Sequence, residues 1–392
     1  MIYYRIKNKI NNLKKKYILR LSKFLYKIFI HLPIKDNLIL FESEGDFCDN
    51  SWALYQYLKK KKKYKFVWFV RNPENFSNTH DTIFLSRFKL NRIRPYYYCA
   101  RACYNFYTHW TFKEINIRKE QTVVNLVHAN GFKAQKSSAD DYFNYAVICG
   151  IGAQKYLQYF FGEPKEKFLS LGFARNDLLV NNIDNGYNNP FCKGRFFKKL
   201  ILWMPTYRKS VSSHLSEEST DTDTGLPLIE TVEELRNLDN YLEHIGLLIL
   251  IKIHHLQADK DIFKLTFNNI IILTDKQIAE QNLQLYQIIG KTDALLTDYS
   301  GISFDYLLTG KPIGYILYDI KKYEKSRGFY YEDVRKLMPG KHIYNMEDLK
   351  AYFDDIINDI DKYKEDRQIL KEKTHVSDKG DACYRICNYF HL

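Results

Sequence analysis

The stretch ALLTDYSGISFD, at Ala294–Asp305, reveals most about how this chain folds. A short apolar run comes first, small polar residues follow, and the last residues suit the start of a helix. Strand, loop and helix in this order form a βα unit, and ligands of parallel sheets bind beyond the carboxyl ends of the strands. Backbone N–H groups and hydroxyls in such a loop favour an anion, while an ordinary helix cap by Ser300 explains the same residues.

On both sides of this unit, strand and helix patterns alternate along the chain. Apolar runs predict further strands at Asn37–Phe41, Phe66–Val70, Thr82–Leu85, Val123–Val127, Tyr145–Cys149, Phe168–Leu171, Leu200–Met204, Leu247–Ile253, Ile270–Leu273 and Ile313–Leu317. Helical patterns fall at Trp52–Lys60, Gln154–Phe161, Gln281–Ile289 and Phe304–Leu308, and from Asp354 onward. The alternation predicts an α/β fold of two doubly wound, Rossmann-like domains facing a cleft, the GT-B type, preceded by an amphipathic helix.

The length of the chain, 392 residues, exceeds what one hydrophobic core usually holds, so we expect two domains. Residues 181–194 are rich in Asn, Gly and Pro and have the composition of a linker. The predicted units are therefore a basic amphipathic helix at 1–33, an N-terminal domain at 34–190, and a C-terminal domain with C-terminal helices at 195–392.

The formal net charge is +13, and basic residues are concentrated at the N-terminus, where no acidic residue precedes Asp36. Apolar residues recur there at helical spacing between the lysines. Such a helix can lie on an anionic membrane or pack on the N-terminal domain with a solvated basic face, and different faces can do both. No apolar stretch reaches the roughly 18 to 20 residues that span a bilayer. We therefore expect a cytoplasmic protein that associates with the membrane peripherally.

Other partners and cofactors follow from composition. RNA is a further anionic partner, but the aromatic and glycine patterns of common RNA-binding modules are absent, so we predict no nucleic acid. The seven cysteines show neither C-x-x-C spacing nor a nearby histidine cluster. We therefore predict buried free thiols and no metal site.

Basic side chains follow several predicted strands at the point where each strand ends. They are His128 and Lys133 after Val127, Arg208 after Met204, and His254 beside Lys252. Imidazole accepts a proton readily near neutral pH, and arginine and lysine suit a phosphate or pyrophosphate. Each of these residues, taken alone, is explained equally well by a hydrogen bond to a neighbouring loop or by a surface turn. Their occurrence together and in this order is what favours a functional site.

The same segments resemble the CDP-glycerol glycerophosphotransferase family, which comprises teichoic acid primases and polymerases. The resemblance covers roughly Phe41 to Arg385 and rests on FESEGDFCDN, VHANGFK, LGFARNDLL, ILWMPTYR, IKIHH, LLTDYSGISFDYLLTGKPIGY and YDIKKYEKSRGFYYED. The last two are long and specific. Ala129 and Asn130 depart from the Gly-Thr pair that follows the first motif histidine in the family, which leaves the choice of acceptor open.

The resemblance implies a transfer reaction with CDP-glycerol or CDP-ribitol as donor and no obligatory cofactor or metal. The N-terminal domain then lies on the acceptor side and the C-terminal domain binds the donor. The acceptor is a hydroxyl of a lipid-linked glycan or polyol phosphate chain, and CMP leaves. The implied catalytic residues are His128, as general base, and His254. The implied substrate-binding residues are Lys133, Arg208, Lys252, Thr297, Asp298, Ser300, Gly301 and Arg327, whereas Arg175 and Asp305 match motif positions with a structural role.

Several alternatives stay open. A GT-B glycosyltransferase that uses a nucleotide sugar has the same shape, although the acidic motif that commonly holds the ribose in such enzymes is not found. Glycerol or ribitol as polyol, primase or polymerase, wall teichoic acid or capsule, and the oligomeric state are not distinguished by the sequence. The expected location is the cytoplasmic face of the cell membrane.

Overall fold

The computed structural model describes residues 23–87, 93–111, 117–128, 130–137, 142–206, 223–252 and 265–392, together with Tyr17, Arg20 and Leu21. Within these residues the chain forms two parallel sheets. The first has seven strands in the order β3-β2-β1-β4-β5-β6-β7, and the second has six in the order β10-β9-β8-β11-β12-β13. The predicted fold class of two parallel-sheet α/β halves is confirmed.

The strands are short and separated by helices. They are β1 (Lys35–Glu42), β2 (Lys65–Val70), β3 (Thr82–Ser86), β4 (Ala102–Tyr107), β5 (Thr122–Asn125), β6 (Tyr145–Ile148), β7 (Phe168–Ser170), β8 (Lys199–Trp203), β9 (Leu247–Lys252), β10 (Ile270–Leu273), β11 (Ala294–Thr297), β12 (Ile313–Ile316) and β13 (Lys341–Ile343). β9 reads LLILIK and is buried at every position. Continuous apolar runs of this kind are typical of parallel strands covered on both faces.

The helices lie between the strands and at the C-terminus. They are α1 (Asp49–Lys59), α2 (Ile93–Arg101), α3 (Gln154–Phe161), α4 (Ala174–Val180), α5 (Val232–Ile245), α6 (Asp275–Glu280), α7 (Leu285–Ile289), α8 (Ile302–Tyr306), α9 (Ile320–Arg327), α10 (Met346–Ile357), α11 (Lys364–Thr374) and α12 (Ala382–Tyr389). The helix predicted at Gln281–Ile289 is confirmed only at Leu285–Ile289, which is α7. Asn282 has a positive φ of 54° and lies between α6 and α7, so the chain turns there.

The central strand β4 pairs with β1 on one side and β5 on the other, and sequence reasoning missed it. Its sequence ACYNFY follows the last residue of α2 directly, with no Gly or Pro between them. Strand prediction relies on such breaks and on apolar runs, so a strand with polar positions and no break is hard to recognise.

The C-terminal helix α12 packs against the first sheet. The Tyr104 hydroxyl donates to the Phe390 carbonyl at 2.8 Å, and Asp177 accepts the backbone N–H groups of Ala382 and Cys383, each at 2.8 Å. The chain thus crosses from the first sheet to the second and returns at its end. The domain bounds 34–190 and 195–392 stay predictions.

Most of the predicted N-terminal helix lies outside the described residues. Residues 23–29 are helical, as are Tyr17, Arg20 and Leu21. In the part of the chain that the structure describes, no helix is both long and apolar enough to cross a bilayer.

Glu42, at the end of β1, is fully buried beside Arg87. Arg87 Nη1 lies 3.3 Å from Glu42 Oε1, and the Thr111 N–H donates to Glu42 Oε2 at 3.0 Å. Burial raises the pKa of Glu42 to about 7, because it outweighs the bonds from Thr111 and the charge of Arg87. The folded protein therefore retains this proton at a pH where the unfolded chain has lost it.

We expect Glu42→Gln to flatten the dependence of folding stability on pH. The unfolded carboxyl has a pKa near ~4.3, so the wild-type protein loses stability as pH rises from there towards 7, by about 2–4 kcal/mol in total. The glutamine cannot titrate and avoids this loss. Urea unfolding between pH 5 and 7.5 measures the free energy of unfolding of both proteins as a function of pH. Glu120→Gln is the control, because that side chain is 69% exposed. Parallel curves for wild type and Glu42→Gln would contradict the prediction.

Candidate active site

His128 lies just beyond the end of β5, where it forms a pair with Asp49, the first residue of α1. His128 Nδ1 is 2.9 Å from Asp49 Oδ2. The imidazole is 61% exposed and the carboxylate only 9%. Because β1 and β5 both pair with β4 in a parallel sheet, their carboxyl ends meet at one edge. The site therefore contains an exposed imidazole that is hydrogen-bonded to a buried carboxylate.

The charge of Asp49 determines which ring nitrogen of His128 carries the proton. Burial alone raises the pKa of Asp49, but the Arg175 charge and the His128 hydrogen bond outweigh it and hold that pKa well below its usual value. An ionised carboxylate only accepts hydrogen bonds. In neutral His128 the proton therefore lies on Nδ1, and Nε2 keeps its lone pair for a substrate proton.

The backbone is strained on both sides of this pair. Val127 has φ +35°, in the left-handed region that β-branched residues avoid, and Asp49 has φ +63°, which aspartate adopts more readily than most residues. Such conformations cost about 1–3 kcal/mol each and cluster at functional sites, where the surrounding structure holds them. Val127 directly precedes His128, so its unusual backbone conformation helps set the direction in which the His128 side chain points.

The loop after β11 organises the loop after β8. Asp298 is fully buried and accepts the Thr206 N–H at 3.0 Å from each carboxylate oxygen. The Thr297 hydroxyl donates to the Met204 carbonyl at 2.7 Å. Asp298 and Thr297, two of the predicted site residues, thus hold Thr206 and Met204, which shortly precede Arg208 in the chain. These contacts give Asp298 a role in shaping the loop.

Ser300 and Gly301 lie between β11 and α8. The Ser300 carbonyl accepts the Ser303 hydroxyl at 3.0 Å, and Gly301 occupies the N-cap position. Among the described residues, no side chain caps this helix, so the ordinary capping role considered for the Ser300 hydroxyl is not seen.

Lys133 belongs to a short stretch that pairs with the segment after Arg327. Lys133 and Phe329 form an antiparallel bridge, and the Tyr330 N–H donates to the Phe132 carbonyl at 2.8 Å. The Arg327 guanidinium lies 5.6 Å from the Tyr323 ring centre. The structure thus brings the loop after His128 and the loop after Arg327 together.

Lys252, at the end of β9, is 7% exposed, and its ammonium lies 3.0 Å from Asp275 Oδ1 on α6. Sequence reasoning missed this ion pair. A pyrophosphate at Lys252 would therefore share the ammonium with Asp275. Arg208 and His254 lie outside the described residues, and their roles stay predictions.

Asp49 is the functional residue that the sequence analysis missed. Its signal lies in FESEGDFCDN, where an acidic residue starts the helix after β1. A carboxylate at a helix N-terminus is also favoured by the helix dipole, so the sequence alone does not distinguish Asp49 from an ordinary first-turn acid. In the described ranges, no group of three or more His, Cys, Asp or Glu side chains is arranged so that it could hold a metal ion.

Together, the two parallel sheets and the histidine–carboxylate pair at a carboxyl edge are typical of an α/β enzyme that uses a histidine for proton transfer. The chain belongs to the CDP-Glycerol:Poly(glycerophosphate) glycerophosphotransferase family, whose sequence profile matches residues 24–392. The resemblance inferred from the motifs is thereby confirmed.

Two of the relatives match over nearly the whole chain, and a third matches over 79% of it. A teichoic acid glycerol-phosphate transferase from Staphylococcus aureus is 27% identical, over 96% of this chain and 98% of the relative. A teichoic acid poly(glycerol phosphate) polymerase from Bacillus spizizenii is 25% identical, over 97% of this chain and 98% of the relative. A teichoic acid ribitol-phosphate primase from the same species is 23% identical, over 79% of this chain and 80% of the relative.

Solved structures agree on the fold. The wall teichoic acid polymerase TagF is 21% identical and covers 99% of this chain and 97% of its own, with a TM-score of 0.72. A TagF variant soaked with CDPG gives a TM-score of 0.75 at 21% identity, over 100% of this chain and 96% of its own. A UDP-N-acetylglucosamine 2-epimerase from Listeria monocytogenes gives 0.53 at 13% identity, over 91% and 98%. At these identities the structures show the fold alone.

We expect Asp49→Asn to lower the turnover number for CMP release from a CDP-polyol by at least about 10²-fold. An asparagine NH₂ group donates to Nδ1 and moves the ring proton to Nε2, which then cannot accept the substrate proton. Steady-state kinetics measure the change. Asp36→Asn, at an exposed carboxylate, is the control and should leave turnover unchanged. A folded Asp49→Asn variant with wild-type turnover would exclude this role.

Proposed function

We propose that the protein transfers glycerol phosphate, or another polyol phosphate, from a CDP-polyol to a hydroxyl of a lipid-linked glycan or polyol phosphate chain. CMP is released, and the product is a teichoic acid or a related envelope polymer. The observation that carries the proposal is the His128–Asp49 pair at the carboxyl edge of the first sheet, in a member of the glycerophosphotransferase family.

The proposed reaction is a displacement at phosphorus. The acceptor hydroxyl oxygen forms a bond to the phosphorus that carries the polyol, and the bond from that phosphorus to the bridging oxygen breaks. The bridging oxygen leaves with CMP, and the hydroxyl proton passes to His128 Nε2. Phosphoryl transfer depends mainly on positioning and on charge neutralisation, so no covalent intermediate with the protein is needed.

The donor is proposed to lie against the second sheet. The loop Asp298–Gly301 follows β11, and the buried Asp298 fixes the segment that leads to Arg208. Arg208, His254, Lys252 and Arg327 would neutralise the pyrophosphate, and Lys133 would lie on the acceptor side near His128. Cationic side chains can stabilise the developing charge of such a reaction. No metal is required in this scheme.

The N-terminal helix supports a membrane partner because its two faces differ. Tyr26 is 5% exposed, and its ring packs edge-on against Tyr96 of α2 with centroids 6.0 Å apart. On the opposite face, large apolar side chains are exposed at helical spacing: Tyr17 by 70%, Leu21 by 40%, Phe24 by 61% and Ile28 by 50%. Arg20, Lys23 and Lys27 are exposed beside them. Apolar residues flanked by cations suit the headgroup region of an anionic bilayer.

We expect the double variant Phe24→Ser and Ile28→Ser to bind vesicles of phosphatidylglycerol at least about tenfold more weakly than wild type. Each change removes apolar area that inserts into the bilayer, and 1.4 kcal/mol corresponds to ~tenfold in affinity. Vesicle sedimentation measures it. The matched control is Tyr384→Ser with Ile360→Ser, which are 58% and 44% exposed elsewhere on the surface. Equal binding by both double variants would contradict a membrane role for this face.

We expect CMP release from CDP-glycerol or CDP-ribitol with a lipid-linked acceptor, and its loss by at least about 10²-fold in His128→Ala, because the general base is removed. Both donors are tested because relatives of both kinds occur. Release from one donor names the polyol. The exposed His80→Ala serves as the control. Release from neither donor by folded protein would contradict the proposed function, and turnover of a nucleotide sugar in its place would establish the glycosyltransferase alternative.

A further inference from the structure

Arg175, the second residue of α4, is 3% exposed and has contacts on both sides of the site. Its Nη1 donates to Asp49 Oδ1 at 2.7 Å and to the His128 carbonyl, while its Nη2 donates to Asp305 Oδ2 at 2.7 Å. One guanidinium therefore contacts the backbone of the base, the carboxylate that orients the base, and a carboxylate of the other half of the protein.

Asn50 adds to this arrangement from the same helix as Asp49. Its side-chain amide donates to the Leu126 carbonyl at 2.9 Å and to the Val127 carbonyl at 3.0 Å. Its Oδ1 accepts the backbone N–H of Arg175 at 2.9 Å. Three consecutive carbonyl groups, those of residues 126, 127 and 128, are thus held by two neighbouring side chains.

These carbonyls belong to the turn that presents His128. Val127 has φ +35°, which a valine does not adopt unless other contacts impose it. The hydrogen bonds from Asn50 and Arg175 act on the carbonyls on both sides of this residue. Without them the bond from the Val127 N–H to Asn125 Oδ1, at 2.9 Å, remains, but the carbonyl groups of residues 126–128 can turn, and this movement rotates the imidazole away from Asp49.

Asp305, the second carboxylate that Arg175 contacts, lies in α8, directly after the loop Asp298–Gly301. It accepts the Tyr286 hydroxyl at 2.5 Å and the Asn176 amide at 3.1 Å, and it is 1% exposed. The Arg175 guanidinium also lies 4.7 Å from the Tyr286 ring centre. The position of α8 is therefore tied to the position of the His128 turn.

We propose that Arg175, with Asn50, is a positioning residue that holds the strained turn of His128 and fixes it relative to the donor loop before α8. The inference rests on the proposed function and adds to it a physical link between the base and the donor site. Arg175 does not touch substrate in this scheme, and it acts through the His128 backbone and through Asp49.

We expect Arg175→Lys to lower the turnover number by about 10²-fold while the KM for the donor changes by less than about threefold. A lysine keeps the charge but cannot reach three acceptors in the fork geometry of a guanidinium. Asn50→Ser removes the two amide bonds and should lower the turnover number at least about fivefold. If Arg175→Lys does not fold, the turnover number of Asn50→Ser tests the positioning role in its place. Arg367→Lys is the matched control, because Arg367 is equally buried and also bonds a carboxylate and a carbonyl, those of Asp361 and Gly310.

A second measurement does not depend on catalysis. In ¹⁵N spectra of histidine-labelled protein, His128 is assigned by its loss in His128→Gln, and its ring nitrogens report the tautomer. We expect the Nδ1–H form in wild type and in Arg367→Lys, and a mixture of tautomers in Arg175→Lys and Asn50→Ser. If the wild type releases no CMP, the proposed function fails, and these spectra still decide the positioning role. Unchanged His128 signals in both folded variants would overturn it, whether or not turnover falls.

Discussion

The buried guanidinium of Arg175 between Asp49 and Asp305 is the interaction on which the site depends. A buried ion is stable only where charges and hydrogen bonds compensate its lost hydration. Here two carboxylates face one guanidinium, and both pairs are 2.7 Å apart. Burial works against the charged form of Arg175, but these carboxylates raise its pKa well above the usual value. The cluster therefore carries one excess negative charge, and that charge lies beside His128.

This excess charge is suited to the proposed reaction. When His128 takes a proton from the acceptor hydroxyl, it becomes an imidazolium next to Asp49, and the cluster becomes neutral. The stabilising charge is in place before the reaction and needs no rearrangement when the proton moves. Because Asp49 is buried and the imidazole is exposed, water screens this interaction less than it would a surface pair.

Most strands could be predicted from sequence because buried parallel strands are continuous apolar runs, but β4 and β13 were not predicted. β10 and β11 lie where the runs IIIL and ALLT predicted them, and α3 has its predicted bounds. β4 lacked such a signal, since ACYNFY has polar positions and no break before it. The helix expected at Gln281–Ile289 is present only at Leu285–Ile289. Asn282 adopts the left-handed conformation that ends the preceding helix, a position where Asn is common after Gly, and sequence reasoning missed this signal. Local patterns predict local structure, and they do so only where a break or a period is present.

The site was only partly predictable for a related reason. His128 could be proposed because imidazole at a strand end has a recognisable chemistry, whereas its partner Asp49 lies 79 positions earlier in the chain, and Asp305 lies 130 positions after Arg175. Such pairings follow from strand order, which places β1 and β5 on either side of β4. Once β4 was missed, that neighbourhood was not available to sequence reasoning.

The two faces of the N-terminal helix place a further constraint on how the halves of the protein are used. Tyr26 and Phe29 pack on α2, which belongs to the same half of the protein as the first sheet and His128. On the proposed function, the membrane and the base are thus held by the same half, and the donor is held by the other. A lipid-linked acceptor fixed at the bilayer then presents its free end to a base at a set distance from that bilayer.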